Sequence, residues 1–343
     1  MASNTELNIE SALKLPCGAT VKNRICKAAM TEGLAGSDAV ANKKHNNLYE
    51  KWAHGGVGIS VTGNVQIDHR YIERAGNVVI EGEQSNESLA ALADWSHAGT
   101  QNNTHLWMQL SHAGRQTPFS INKESAAPSV QPLPTLGGIL KFGVPKELTH
   151  SEILDIVDRF VNAAEIAKQT GFTGVQLHSA HGYLLSEFLS PNVNQRSDQW
   201  GGSIENRSRL LLTVIEAIRD KVGNNYPISV KLNSSDFQKG GFTHEESIEV
   251  AKILNTSSLD LLEISGGTYE NFTALEIDSL NLKKAKTIKP QRSTKVREAY
   301  FLKYAEAIKN DLSIPLAVTA VSYTHLRAHE TPEHLVCRLL LEK

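Results

Sequence analysis

Leu211-Leu-Thr-Val-Ile-Glu-Ala-Ile-Arg-Asp-Lys-Val222, a turn through Gly223-Asn-Asn-Tyr-Pro227, and Ile228-Ser-Val-Lys-Leu232 together decide the fold. In the first segment Leu211, Val214, Ile215, Ile218 and Val222 recur at helical spacing and make one apolar stripe that can pack on a sheet. The last segment is a short β-rich run, and it reads as a strand. The same alternation runs through most of the chain. Strands are expected at Arg24–Ala29, Val57–Gly63, His105–Leu110, Gly174–His178, Ile228–Leu232, Leu259–Ile264 and Ile314–Thr319. Helices are expected near Asn42–His54, Glu87–Gln101, Ser151–Thr170, Ile204–Val222, His244–Asn255 and Lys295–Asn310. Two of them open with capping boxes, Thr149-His-Ser-Glu152 and Thr243-His-Glu-Glu246, in which hydroxyl and carboxylate satisfy orphan amides reciprocally.

Strand and helix in alternation imply βαβ units and a parallel sheet. Seven such units in series favour a (β/α)₈ TIM barrel over an open Rossmann sheet, and no G-x-G-x-x-G follows the first strand. Only 24 residues follow Thr319. The barrel is therefore expected to be incomplete, with strand eight and helix eight missing or replaced. The expected division is a barrel domain over residues 1–319 and a divergent tail over 320–343. The loop Ser111–Glu147, with five prolines and Gly137-Gly138, is long for a compact domain, and loops of that length belong to an active site or are disordered.

Composition narrows the function. The 343 residues are 40% hydrophobic and 21% charged, with 35 Lys plus Arg against 37 Asp plus Glu. A net charge of −2 argues against a nucleic-acid-binding surface. No run approaches the roughly 18 apolar residues of a membrane span. Met1–Pro16 lacks the apolar core of a secretory signal. Three scattered cysteines make neither a disulfide framework nor a zinc ribbon. The chain reads as cytoplasmic and soluble; the oligomeric state stays open, a homo-oligomer included.

In such a barrel the catalytic side chains sit at the C-terminal ends of the strands. Those positions carry Ala28-Ala-Met-Thr31, Gly63-Asn64, Gln109-Leu-Ser-His-Ala-Gly-Arg115, His178-Ser-Ala-His-Gly-Tyr183, and Lys231 with Asn233. The ring is made of amides, imidazoles, hydroxyls and an ammonium, with no paired carboxylates, so glycosidase chemistry loses ground. His178 and His181 admit three readings. They are metal ligands short of further partners, or structural histidines, or, with Tyr183, a hydrogen-bond clamp for an oxygen anion.

The segment from Gly174 to Pro191, with Gly-Val-Gln-Leu-His-Ser-Ala-His-Gly-Tyr at its head, and the run Arg196-Ser-Asp-Gln-Trp-Gly-Gly-Ser-Ile-Glu-Asn-Arg207 closely resemble the Old Yellow Enzyme family. Asn23-Arg-Ile, Ala28-Ala-Met-Thr31, Gln109–Arg115 and Val230–Asp236 extend the resemblance over about residues 8–319. It implies an FMN-dependent oxidoreductase that uses NADH or NADPH to reduce the flavin and then an activated alkene, an α,β-unsaturated carbonyl or nitro compound. It also implies that Ala29, Met30, Thr31, Gly63, Gln109 and Lys231 bind the cofactor. Ala29 and Gly63 would let backbone approach the ring, and Thr31 would meet the O4/N5 edge. Gln109 would meet the pyrimidine edge, and Lys231 the N1/O2 side, where many relatives carry Arg. His178 and His181 would hold the substrate oxygen and Tyr183 would protonate the α-carbon, because a phenol keeps its proton at neutral pH. Asp198 and Arg207 are expected to be structural, and Trp200 and Tyr269 either line the substrate funnel or pack.

From Ala320 the chain departs from the family. The run Ala320-Val-Ser-Tyr-Thr-His-Leu-Arg-Ala-His-Glu stands where glycine-rich, phosphate-binding turns are expected, and it has no glycine. The tail holds His325, His329, His334 and Cys337, which could be read as metal ligands. A truncated, non-native C-terminus is the expectation, and the alternative function is a catalytically inactive barrel fragment with impaired FMN binding.

Overall fold

The computed structural model describes residues 8–134, 140–268, 304–319 and 337–341. An antiparallel hairpin, β1 (Leu13–Lys14) and β2 (Thr20–Val21), precedes the first barrel strand, β3 (Ile25–Lys27). Then come α1 (Lys43–His54), β4 (Ile59–Gln66), α2 (Asn86–Gly99) and β5 (His105–Ser111). The long loop contains a parallel pair of its own, β6 (Glu124–Ala127) and β7 (Val144–Glu147). After it run α3 (His150–Gln169), β8 (Gly174–Ser179), a short α4 (Leu184–Leu189), α5 (Ile204–Val222), β9 (Ile228–Asn233), α6 (His244–Asn255) and β10 (Leu261–Ser265). The last strands are β11 (Leu316–Thr319) and β12 (Cys337–Leu341). Residues 304–309 are helical, so the end of the helix expected over Lys295–Asn310 is described; its beginning lies outside the described residues.

Seven parallel strands, β3, β4, β5, β8, β9, β10 and β11, make a barrel wall, and β12 closes it between β11 and β3. This is a TIM-barrel wall in which strand eight is replaced. The inserted strand runs antiparallel to both neighbours, pairing Thr319 with Arg338 on one side and Lys27 with Cys337 on the other. Of the two expected outcomes for strand eight, missing or replaced, the second holds, and β3 and β11 are bridged. Edge N–H and C=O groups need partners, and the backbone of 337–341 supplies them, though in the direction opposite to a family-type strand.

Helices take the outer layer because their stripes match the outward side of the strands. On α3, Ile153, Ile156, Val157, Phe160, Ala163, Ala164 and Ala167 are buried, and both expected capping boxes are formed, with Thr149 and Thr243 accepting from the third helical amide. Val175 and Leu177 of β8, Val230 and Leu232 of β9, and Leu262 and Ile264 of β10 join that core. The barrel interior is divided in two. At the N-terminal end Ile59, Val61, Trp107, Leu261 and Ala317 pack with Leu13, Leu15 and Val21 of the hairpin, an apolar plug. Because strand side chains alternate faces, the inward positions further along carry polar groups instead. The plug seals one mouth, so chemistry is confined to the other.

Candidate active site

The inward positions of β8, β9 and β10 fall in register. His178 is level with Lys231, Lys231 with Glu263, and Gln109 of β5 with Gln176. All five are buried. Gln109 Nε2 donates to Gln176 Oε1 at 2.8 Å, and Gln176 Nε2 donates to Glu263 Oε2 at 2.8 Å. Lys231 Nζ lies 3.5 Å from Glu263 Oε1, which also accepts from Thr319 Oγ1 at 2.8 Å.

Beyond β8 the chain turns sharply. His181 and Gly182 take φ values of 61° and 80°, a left-handed region that costs a histidine about 1–2 kcal/mol. The turn is held from three sides: His181 N–H donates to Asn233 Oδ1 (3.2 Å), Gln116 Nε2 donates to the His181 carbonyl (2.7 Å), and His181 Nε2 sits 2.7 Å from Ser265 Oγ. The result is a compact cluster. The His178 and His181 rings meet edge to face at 5.1 Å, and the Tyr183 ring lies 4.5 Å from His178. His178 Nδ1 accepts from the Ala180 N–H at 3.3 Å, which leaves the neutral ring's proton on Nε2.

A cavity of about 130 Å³ collects these groups: Ala29, Thr31, Gln109, His178, His181, Tyr183 and Lys231 line it, together with Asn64 and Glu73. Met30 and Gly63 are outside the lining. Gly63 has a packing reason to be glycine. A Cβ there would meet the Met30 carbonyl at 2.4 Å and the Glu32 carboxylate at 2.3 Å, so its smallness serves the packing of β4 against residues 30–32. The Gly63 N–H donates to both Glu32 and the Tyr49 hydroxyl. Burial, with the Glu32 charge added, pushes the Tyr49 phenol well above its ordinary value.

The sequence reading was of no paired carboxylates at the strand ends; one carboxylate, Glu73, lines the cavity. Glu73 accepts from Thr31 Oγ1 (2.9 Å) and Asn64 Nδ2 (2.6 Å) and pairs with Arg74 at 3.3 Å. Glu263 stands behind Lys231. Thr31 thus spends its proton on Glu73 and offers lone pairs to the cavity. Glu73 lies in a loop with no motif around it, whereas Glu263 was signalled by a charge inside the apolar run Leu261-Leu-Glu-Ile-Ser265.

Arg207 is structural: it binds the Leu189 and Gly202 carbonyls and Glu246. Asp198 pairs with Arg196. Trp200 is buried and donates to His150 Nδ1, so it packs. Tyr269, His325, His329 and His334 lie outside the described residues. Among the described residues the one cluster of three potential metal-ligating side chains, Asp68, His69 and Glu81, is outside this cavity, and Arg70 and Arg159 pair with its carboxylates.

The model of the NADH:flavin oxidoreductase / NADH oxidase family matches residues 14–300. The chain belongs to that family. An NADH-dependent flavin oxidoreductase of Hypocrea jecorina is 33% identical over 92% of this chain and 80% of its own length. An NADH oxidase of Thermoanaerobacter brockii is 34% identical over 88% of the chain, which spans only 43% of that protein. Among solved structures, an old yellow enzyme homologue from Zymomonas mobilis superposes with a TM-score of 0.73 at 25% identity, covering 92% of this chain and 83% of that one. A 2-naphthoyl-CoA reductase gives 0.77 at 27% identity over 90% of this chain and 46% of that one. This NADH:flavin oxidoreductase family member is an enzyme, an FMN-dependent oxidoreductase with NADH or NADPH as reductant. Among the described residues no helix is long and apolar enough to cross a membrane.

The residues present fit the ring of that cofactor. No hydrogen bond among the described residues uses the Gln109 amide oxygen, and this acceptor and the Lys231 cation line one cavity. They suit a ring edge with an N–H donor and a site of growing negative charge. The stretch where the family's phosphate-binding turns are expected, 320–336, lies outside the described residues.

Proposed function

We propose that this enzyme is an ene-reductase: NADH or NADPH reduces the flavin, and an α,β-unsaturated carbonyl or nitro compound receives the electrons. The supporting observation is the His178–His181–Tyr183 cluster on the wall of the cavity that Gln109 and Lys231 also line. In this reading Ala29, Thr31, Gln109 and Lys231 face the ring from the cavity, while Met30 and Gly63 shape the strand end beside it. Residues 1–319 form the cofactor-binding unit, and 320–343 are a divergent tail whose residues 337–341 close its wall. A small-molecule substrate and a cytoplasmic location belong to the same reading.

When bound, FMN supplies the two-electron chemistry that couples nicotinamide oxidation to alkene reduction. The protein's side chains do the polar work. His178 Nε2–H and the His181 ring hold the carbonyl or nitro oxygen, polarise the double bond, and stabilise the negative charge that gathers on that oxygen. Ser265 fixes the plane of His181. Tyr183 delivers its phenolic proton to the α-carbon and is reprotonated from solvent. A preorganised imidazole pair costs little reorganisation at the moment of reaction, because a strained turn held by Asn233 and Gln116 sets its geometry.

Tyr183→Phe tests the reading. Alkene reduction is expected to slow by about 10²–10⁴-fold, the usual worth of a general acid, while flavin reduction by the nicotinamide stays nearly intact. Stopped-flow absorbance resolves the two half-reactions. Equal losses in both contradict the assignment.

A further inference from the structure

Glu263 is 1% exposed, lies mid-strand in β10, and is level with Lys231. An ionised carboxylate only accepts hydrogen bonds, and this fixes the direction of everything tied to it. Gln176 must turn its NH₂ to Glu263, so its oxygen faces Gln109. Gln109 in turn spends its NH₂ on Gln176 and is left with its oxygen for the cavity it lines. Amide orientation is otherwise ambiguous, since either end of a glutamine fits most sites. Here one buried charge settles two amides in series. The same carboxylate is the counter-ion of Lys231, at 3.5 Å, with side-chain exposures of 5% and 1%.

We propose that Glu263 is a positioning residue for the cofactor's pyrimidine edge, aligning Gln109 through Gln176 and offsetting the charge of Lys231. The inference rests on the placement of the ring against Gln109 and Lys231 given under Proposed function. With the carboxylate present, an anionic reduced ring beside Lys231 meets a neutralised pair. Without it, the ring meets a cation that has lost this counter-ion and the reduced state gains. Breaking a buried pair on one side is also destabilising, so stability alone does not distinguish this role.

The test is the midpoint potential of FMN bound to the wild-type chain, Glu263→Gln and Glu263→Asp, measured at pH 6 and pH 8. The potential is expected to rise in Glu263→Gln at pH 6 at least, where Lys231 without this carboxylate holds its proton more readily, and to return toward wild type in Glu263→Asp. If loss of this ion pair unfolds Glu263→Gln, the double variant Glu263→Gln/Lys231→Gln removes both of its charges and must lie above Lys231→Gln alone. An unchanged potential at both pH values, no difference between those two lysine variants, or equal shifts in the Gln and Asp variants overturns the inference while the cofactor site stands. A wild-type chain that takes up no FMN overturns the site and the inference together.

Discussion

At the residue scale, the His178–His181–Tyr183 cluster was legible because imidazoles and a phenol within six positions at a strand end are chemically conspicuous, whatever the neighbours do. The carboxylates were harder to see. Glu73 reaches Thr31 and Asn64 from a loop seven residues past the end of β4, and only the folded chain brings the three together. His112, in Gln109–Arg115, is a different case. Its ring is fully buried against Tyr71. Burial depresses its pKa from the ordinary 6.5 to about 4; Asp68 pulls it upward, and Arg159 and Arg70 push it further down. The fold therefore favours the neutral ring. Its contribution to stability is complete above pH 6.5 and is lost as pH falls toward 4, because the unfolded chain takes up the proton first. The difference is about 3 kcal/mol at roughly 1.4 kcal/mol per pKa unit. His112→Gln is expected to flatten the decline of urea-unfolding free energy over that pH window by about this amount. An acid slope identical to wild type contradicts it.

At the element scale, the seven parallel strands and the long amphipathic helices followed from periodicity, and their ends from capping chemistry. Where elements are too short or too uniformly apolar to show a period, the sequence was silent. β1 and β2 have two residues each, and α4 has six, all buried, with no polar face. The hairpin's role as a plug is visible only when Leu13 and Val21 meet Trp107 inside the barrel. Capping is testable directly. Thr149 accepts from Glu152 N–H and Glu152 returns a bond to Thr149 N–H, so Thr149→Ala is expected to cost about 1 kcal/mol. Chemical denaturation measures it, and a loss below a few tenths of a kcal/mol contradicts the role assigned to the box.

At the scale of the whole molecule, the barrel is sealed with apolar side chains at one end and lined with polar ones at the other, with β12 completing the wall. Composition and motif order gave the barrel but not the last strand, because nothing in the tail's local pattern specifies an antiparallel partner for β3 and β11. Removing residues 337–343 leaves both strand edges unpaired, and open edges template association. That deletion is expected to melt earlier and to scatter more light than the full chain. An unchanged melt and a monodisperse profile contradict a wall-closing role for the strand. The claim on which the functional account turns is that the His178–His181–Tyr183 cavity accepts an alkene as oxidant. The most direct measurement is anaerobic: the FMN-loaded chain is reduced with one equivalent of NADH or NADPH, then mixed with 2-cyclohexenone while flavin absorbance is followed. The account predicts rapid return of the oxidised spectrum with saturated ketone as product. A flavin that the nicotinamide reduces but that stays reduced with cyclohexenone, and likewise with a nitroalkene, until oxygen is admitted contradicts it.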